Sequence, residues 1–442
     1  MRKLIGNTSW LLFNQIFQMI ISFFVGILST RYLGPSNYGS ITYISTYVSF
    51  FSSLCTMGMD TVVISKLVNY KDRDGEIIIT ATCIRAVSAI ISILALAMVV
   101  YVVDGNDASL QIIALILGFK LLLNAFTTVG YWYQYKLLSK KMVIVDMVTF
   151  VLGNAFRIWM LATEKNVYWF ASYATVLVLL NVIVDVPLFL NDCKTRKFLS
   201  KDMAKELLKD CLPYMISGVM VSLYSQVDII MIKHMMNGTN YVGYYSAAYT
   251  ICNLIAFIPQ AISQSARPAL MELKKDNNHS YNTRVTQTLA IIIWFAIIYS
   301  IFITLFSNIV IGILYGESYA PSSGVLKVLV WSTLFENLTR IRDMWFIGEN
   351  ESKSVAVLSF LGTITNVIAN AILIPILGIY GAAIATIGTQ LVVTVVLPAM
   401  RKETRQYAID VLNALFLRNV DMFNFLKEIV NSFKLKKVED NV

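Results

Sequence analysis

The chain has 442 residues, of which 57% are hydrophobic and only 14% charged, with a formal net charge of +9. Soluble domains are close to half apolar and a quarter charged, and here the apolar residues fall in runs of about 20, the length a helix needs to cross a hydrocarbon core; a soluble globular protein is excluded. Nucleic-acid binding is excluded as well, because the basic residues sit in short segments between apolar runs and no cluster interleaves aromatics with bases.

Arg2 and Lys3 precede a first apolar run over 8–30, whose length and lack of a small-residue cleavage site predict a retained helix rather than a signal peptide. Further spans are predicted over 38–62, 77–103, 110–133, 142–162 and 167–190, then over 212–234, 242–266, 286–314, 323–347, 354–376 and 379–400. The breaks carry turn or charge signals, such as Leu33-Gly34-Pro35-Ser36-Asn37 and Lys71-Asp72-Arg73-Asp74-Gly75. With the N-terminus inside, the cytoplasmic segments hold 29 of the 36 Lys and Arg residues, while the outer ones hold only Arg31, Lys165 and Lys233. One miscounted span would invert every later loop, so this asymmetry predicts that both termini are cytoplasmic.

The predicted architecture is an all-α membrane protein of twelve transmembrane helices in two pseudo-symmetric six-helix lobes, one over 1–190 and one over 212–400. A cytoplasmic linker helix is expected over 191–211, and a basic amphipathic tail over 401–442 lying on an anionic leaflet. A faint repeat supports the two halves: Gly34-Pro35-Ser36-Asn37-Tyr38-Gly39 follows span one, and Gly238-Thr239-Asn240-Tyr241-Val242-Gly243 follows span seven.

Polar residues inside the spans fall into stripes. Span eight aligns Ser246, Tyr249, Asn253, Gln260, Gln264 and Arg267 within roughly 80° of arc. Span two aligns Ser45, Ser49, Ser52 and Thr56, with Asp60 slightly rotated; span one carries Asn7, Asn14 and Gln18, and span seven Ser217, Tyr224 and Asp228. Small hydroxyls often serve helix packing alone, but four equivalently placed stripes predict a hydrated cavity. Arg85, Lys120, Arg157 and Lys327 lie within spans at several depths, where they suit the passage of a multiply charged anion such as a pyrophosphate. The alternative is static pairing with Asp60, Asp146, Asp185, Asp228 or Glu336. Glu336, Arg340 and Asp343 share one face and read as a structural network near the inner surface.

The sequence holds no P-loop, nucleophile elbow or Gly-rich nucleotide fingerprint, and with only His234 and His279 no His-rich metal site is expected. The five cysteines are expected as free thiols. A non-enzymatic protein without a cofactor is expected, and any transport it performs would draw on an ion gradient, on substrate flow or on a separate protein.

Three segments carry a family resemblance. They are Asn7-Thr8-Ser9-Trp10 running to Arg31-Tyr32-Leu33-Gly34-Pro35-Ser36-Asn37-Tyr38-Gly39; Gln226-Val227-Asp228-Ile229-Ile230-Met231 followed by Val242-Gly243-Tyr244-Tyr245-Ser246-Ala247-Ala248; and Asn366 and Asn370 leading into Ile374-Pro375-Ile376-Leu377-Gly378 and Gly381-Ala382-Ala383. Together they resemble the polysaccharide-transport branch of the multidrug/oligosaccharidyl-lipid/polysaccharide exporter superfamily, which includes O-antigen and capsule flippases. The resemblance runs from residue 1 to about 400.

It implies a cleft lined by spans one, two, seven and eight, and alternating access coupled to protons or sodium. The implied substrate is an undecaprenyl-pyrophosphate-linked glycan, flipped across a bacterial cytoplasmic membrane, with a polysaccharide polymerase and chain-length regulator as candidate partners beside the membrane lipids. Arg85, Lys120, Arg157, Arg267 and Lys327 become the candidate substrate-binding cations. Asn14, Gln18, Ser49, Ser52, Thr56, Tyr224, Asn253, Gln260 and Gln264 become the polar lining, and Asp60 and Asp228 the candidates for ion coupling. Unlike the related lipid II flippases, the chain has no thirteenth or fourteenth span and no arginines in span one. The rival readings are a cation-coupled small-molecule exporter of the same superfamily and a membrane polymerase or glycosyltransferase, whose large outer loop is missing here.

Overall fold

A computed structural model describes residues 2–418 apart from Lys71, Asn106, Asn277 and Asn350, and it is helical from end to end. The chain divides into two compact units, Met1–Gly243 with Leu314–Ser318, and Tyr244–Ile313 with Tyr319–Val442.

The first unit opens with α1 (Arg2–Thr56), whose 55 residues would reach about 83 Å if straight, far beyond a membrane. It is broken at Gly34, where φ is 70°, a value a residue with a Cβ adopts only under strain, and Pro35 brings no N–H to bond back across the bend. Met57 and Gly58 then both turn to positive φ and end the helix. A Cβ on Gly58 would overlap the Tyr214 side chain, so glycine serves both the turn and the close approach. Then come α2 (Met59–Asn69), α3 (Asp74–Asp104), α4 (Ala108–Phe126), α5 (Val129–Tyr135), α6 (Ser139–Ala162), α7 (Val167–Asp192) and α8 (Lys201–Met235). α3, α4, α6 and α7 pack around α1, and α8 lies against α1, α2 and α3. The sequence reading placed 191–211 in a linker and 212–234 at the head of the second lobe, whereas α8 lies wholly in the first unit.

The second unit holds most of α9 (Thr239–Cys252), then α10 (Phe257–Asp276), α11 (Asn278–Leu314), α12 (Ala320–Leu329), α13 (Ser332–Gly348), α14 (Ser352–Leu377) and α15 (Ile379–Leu391). A π-helical turn at Val392–Val396 leads into α16 (Leu397–Met400) and α17 (Arg405–Leu415). α17 buries Tyr407, Val411 and Ala414 in a core shared with Tyr281, Val285, Leu338, Trp345 and Phe346. Its other face leaves Ile409, Leu412 and Phe416 exposed. The rest of the expected tail, from residue 419, lies outside the described residues.

The surface inverts the rule for water-soluble proteins. α3 exposes Val87, Ile90, Leu94, Met98 and Tyr101 while burying Arg85, Ser92 and Leu96; α11 exposes Ile298, Phe302, Leu305, Ile309 and Ile313. Leucine and isoleucine turned outward along whole helices belong in hydrocarbon. Among the described residues eight helices are long and apolar enough to cross a membrane, or ten if each of two bent pairs counts as one crossing. Two features account for the shortfall from twelve. Expected spans one and two fall in one run, Asn14–Asn69, which the non-helical Gly34 divides into two helices. Expected span ten is split into α12 and α13, the latter carrying Glu336, Arg340, Arg342 and Asp343.

Candidate functional site

In the first unit, three cations lie well inside the helices. Arg85 is 2% exposed and its Nη1 donates to Thr128 Oγ1 at 3.0 Å, at the break between α4 and α5. It also faces Tyr131. Its Nε–H is buried with no partner. Lys120 on α4 is half-buried, and among the described residues it makes no hydrogen bond or ion pair. Arg157 on α6 sits 4.7 Å over the Tyr173 ring of α7, and its Nε–H is likewise buried and unbonded. One turn earlier, Asn154 donates to the Phe150 carbonyl at 2.8 Å and leaves its Oδ1 without a donor.

The cations nearer the helix ends behave differently. Lys66 is held by Glu206 and Asp210, Arg73 by Glu76, Lys136 by Asp74, Lys141 by Asp192, and Lys233 by Asp104. Among the described residues, no carboxylate oxygen lies within ion-pair distance of Arg85, Lys120 or Arg157. Static pairing, the alternative open from sequence, describes the helix ends and not the interior. An uncompensated buried cation costs several kcal/mol, so buried Arg85 and half-buried Lys120 and Arg157, two of them with an unbonded Nε–H, could take up an anion supplied from outside the chain.

The buried acids are not their partners. Asp185 on α7 is buried with Oδ1 unbonded, and Asp146 on α6 is half-buried. Asp60 departs from its expected place on span two: the break at Met57 and Gly58 moves it to the first turn of α2, where it is exposed. Asp228 is half-buried on α8.

The expected polar lining is satisfied mostly within its own helices. Gln18 donates to Asn14 Oδ1 at 3.1 Å, Ser49 to the Ser45 carbonyl at 2.9 Å, and Thr56 to the Ser53 carbonyl at 3.3 Å. Such local bonds use the hydroxyl hydrogen and leave lone pairs free. Ser49 is exposed, Ser52 and Thr56 half-buried, and Asn14 buried. The side chains of Asn7, Ser217 and Tyr224 lie outside the described residues.

In the second unit, Asn253 donates to the Tyr249 carbonyl at 3.1 Å and borders a narrow crevice with Tyr299, Glu336, Asn337 and Arg340. Gln260 and Lys327 are half-buried, and Lys327 has no carboxylate partner among the described residues. The side chains of Gln264 and Arg267 lie outside the described residues. In the network expected from Glu336, Arg340 and Asp343, the two acids accept hydrogen bonds from neighbours on α13. Glu336 accepts from Ser332 at 3.2 Å, whereas Asp343 accepts from Arg342 Nη2 at 2.7 Å. Arg342, inside the expected tenth span, is 2% exposed and donates to the Val393 carbonyl at 2.8 Å. That carbonyl belongs to the π-helical turn, whose wider winding offers it to a side chain. No periodicity in the sequence signals a π-turn, so this partner was not legible.

Among the described residues no group of three or more His, Cys, Asp or Glu side chains is arranged to hold a metal ion. All five cysteines are free thiols.

Comparison with known proteins adds a family and a fold. The family described as polysaccharide biosynthesis protein matches residues 27–324. A probable low-salt glycan biosynthesis flippase, Agl15 of Haloferax volcanii, is 24% identical over 178 residues, covering 39% of this chain and 36% of that relative. The chain thus aligns with little more than a third of that protein's length. Among solved structures, the lipid II flippase MurJ in an inward closed conformation superposes with a TM-score of 0.69 at 13% identity, over 93% of this chain and 91% of that one. An inward-facing multidrug resistance MATE transporter of the MOP superfamily gives 0.65 at 14% identity, over 92% and 99%. At these identities the likeness is one of fold.

Proposed function

The chain belongs to the polysaccharide biosynthesis protein family, and from that premise we propose that it is a flippase for a lipid-linked oligosaccharide, working by alternating access. The observation that carries this reading is the set of interior cations, Arg85, Lys120 and Arg157, none bonded to a carboxylate among the described residues and two with an unbonded Nε–H. With twelve crossings and both termini cytoplasmic, they form a ladder. Arg85 lies about 16 Å along α3 from its inner end, Lys120 about 22 Å up α4 and α5, and Arg157 about 27 Å along α6. A pyrophosphate moving up this ladder would exchange one guanidinium or ammonium for the next, and Arg suits bidentate binding of phosphate oxygens.

In the finer reading the carrier is undecaprenyl pyrophosphate, the membrane is a bacterial cytoplasmic membrane, and two six-helix lobes rock about the glycan. Hydroxyls such as Ser49 and Thr56 would line the hydrated path, and the isoprenoid tail would stay in lipid. Hydrophobic anchoring of the tail together with charge capture of the head group fits a substrate that is half lipid and half anion.

One observation favours a second reading, a cation-coupled exporter of small apolar molecules. A cavity of about 150 Å³ between α1, α3 and α8 is walled by Tyr47, Phe50, Phe51, Val99 and Ile230. A reconstitution assay separates the two. Purified chain in proteoliposomes is expected to expose a fluorescent polyprenyl-pyrophosphate glycan to an impermeant quencher faster than protein-free vesicles do. Export of a lipophilic cation without glycan flipping would favour the second reading instead.

A further inference from the structure

The far end of α8 carries a cluster of titratable side chains that the cation ladder does not use. Tyr43 of α1 is fully buried, and its hydroxyl lies 2.9 and 3.1 Å from the two carboxylate oxygens of Asp104, the last residue of α3. The same hydroxyl is 3.1 Å from Tyr47 Oη and 2.9 Å from His234 Nε2 on α8. Lys233 Nζ reaches Asp104 Oδ1 at 3.3 Å and stands 5.5 Å over the Tyr43 ring.

Hydrogen counting fixes the protonation pattern. Tyr43 has one hydroxyl hydrogen, and ionised Asp104 can only accept, so that hydrogen goes to Asp104. The Tyr43 oxygen then accepts from Tyr47 and from His234. Nε2 of His234 therefore carries the ring hydrogen, and Nδ1 is the basic nitrogen.

The charged and titratable groups facing His234 are Tyr43 and Tyr47 from α1, Asp104 from α3, and Lys233 on its own helix. α2 meets α8 at the opposite end, where Lys66 pairs with Glu206 and Asp210. With neutral imidazole the cluster balances one negative charge, on Asp104, against one positive charge, on Lys233.

We propose that His234 is a proton-binding site, and that the proton it takes releases the end of α8 from α1 and α3. The proton passes from water to Nδ1, forming imidazolium, and no other covalent bond changes. Asp104 is already engaged by both Tyr43 and Lys233, and its side chain is 1% exposed. Imidazolium therefore adds a second positive charge on α8 beside Lys233, and among the described residues Asp104 alone is within reach to answer both. Parting of the helix end lets water solvate the surplus charge. One turn before Tyr43, Gly39 lies against the backbone of Thr239 and Gly243.

In the flippase reading, on which the purpose of this site rests, proton uptake biases the chain toward the conformer in which α8 stands away from α1. The site itself is tested without transport.

The test uses hydrogen exchange by mass spectrometry on the full chain in phosphatidylethanolamine–phosphatidylglycerol nanodiscs, at about pH 8 and about pH 5.5, with intrinsic rates corrected. Amides over 229–236 in the natural sequence are expected to lose roughly tenfold in protection at the lower pH. In His234→Gln, which keeps an N–H toward Tyr43 but takes no proton, they are expected to stay protected at both. Equal loss in the two proteins, or none in the natural sequence, overturns the proposal. Should His234→Gln fail to fold, Tyr43→Phe serves in its place. It is expected to show low protection at both pH values, and a retained tenfold response there overturns the proposal equally. A chain that shows the response but flips no glycan keeps the proton site and loses the transport reading; a chain that flips glycan without the response does the reverse.

Discussion

Gly39 and Gly243 approach so closely that neither position has room for a Cβ. One built on Gly39 would fall on the Thr239 carbonyl oxygen and lie 2.9 Å from the Gly243 amide nitrogen, and one built on Gly243 would fall on the Pro35 carbonyl. Beside them the Ser36 and Thr239 hydroxyls share a hydrogen bond of 3.2 Å. The two copies of the faint sequence repeat thus lie against each other, and their glycines are the residues that permit it.

This contact gives a first prediction. Gly39→Ala and Gly243→Ala each push a methyl into backbone and should destabilise the chain by about 1–3 kcal/mol, the usual range for overpacking. Gly26 has nothing within 4 Å of its missing Cβ, so Gly26→Ala should be neutral or stabilising by up to about 1 kcal/mol. Thermal unfolding in detergent, followed by tryptophan fluorescence, checks all three. Equal melting of the Gly39 and Gly26 variants would contradict the close approach.

Membrane orientation gives a second. Glu164 between α6 and α7 and Lys402 after α16 are both exposed, and the proposed topology puts the first outside and the second in the cytoplasm. Cys55, Cys193, Cys211 and Cys252 are buried and Cys83 half-buried, so background labelling should be low. An impermeant maleimide should label Glu164→Cys in intact cells and Lys402→Cys only after permeabilisation. The reversed pattern would overturn the assignment of the positively charged segments to the cytoplasm.

A third concerns the docking of α17. Burial pushes the Asp410 carboxyl up to about 6, partly opposed by hydrogen bonds from Gln406 and Thr286, and its Oδ2 is buried without a partner. Below about pH 4 the docked and undocked forms both hold the proton, and docking is firmest. As pH rises to about 6 the undocked carboxyl ionises first, so docking weakens by up to about 3 kcal/mol and then levels off. Asp410→Asn cannot ionise and should hold α17 evenly across this window. Exchange protection of the amides over 407–415 between about pH 4 and pH 8 reads the difference; a parallel pH dependence in both proteins would contradict it.

Much of this molecule is written in its hydrophobic pattern. Apolar runs of about 20 residues located the long helices, and Gly34-Pro35 marked the break inside α1 because both residues act on the backbone itself. The family, too, was visible in the segments around Gly39 and Gly243, which fall within the matched residues 27–324. Spans one and two were legible as two separate helices, and they meet at the non-helical Gly34. Arg85, Lys120 and Arg157 stood out as charges in apolar surroundings; that they lack carboxylate partners among the described residues was not legible, because pairing depends on side-chain reach. Asp104, Lys233 and His234 were missed, for they sit at helix ends where charge is ordinary. Only the fold brings them to Tyr43.

The claim that bears most weight is that the three interior cations carry the anionic head group. Flipping of a fluorescent polyprenyl-pyrophosphate glycan in proteoliposomes measures it directly, comparing the natural sequence with a combined Arg85→Gln, Lys120→Gln, Arg157→Gln variant of matched folding and insertion. Charge-assisted contacts to phosphate are worth about 1.5–3 kcal/mol each, so the triple variant should flip at least roughly a hundredfold more slowly. A triple variant that flips at the natural rate would contradict the ladder.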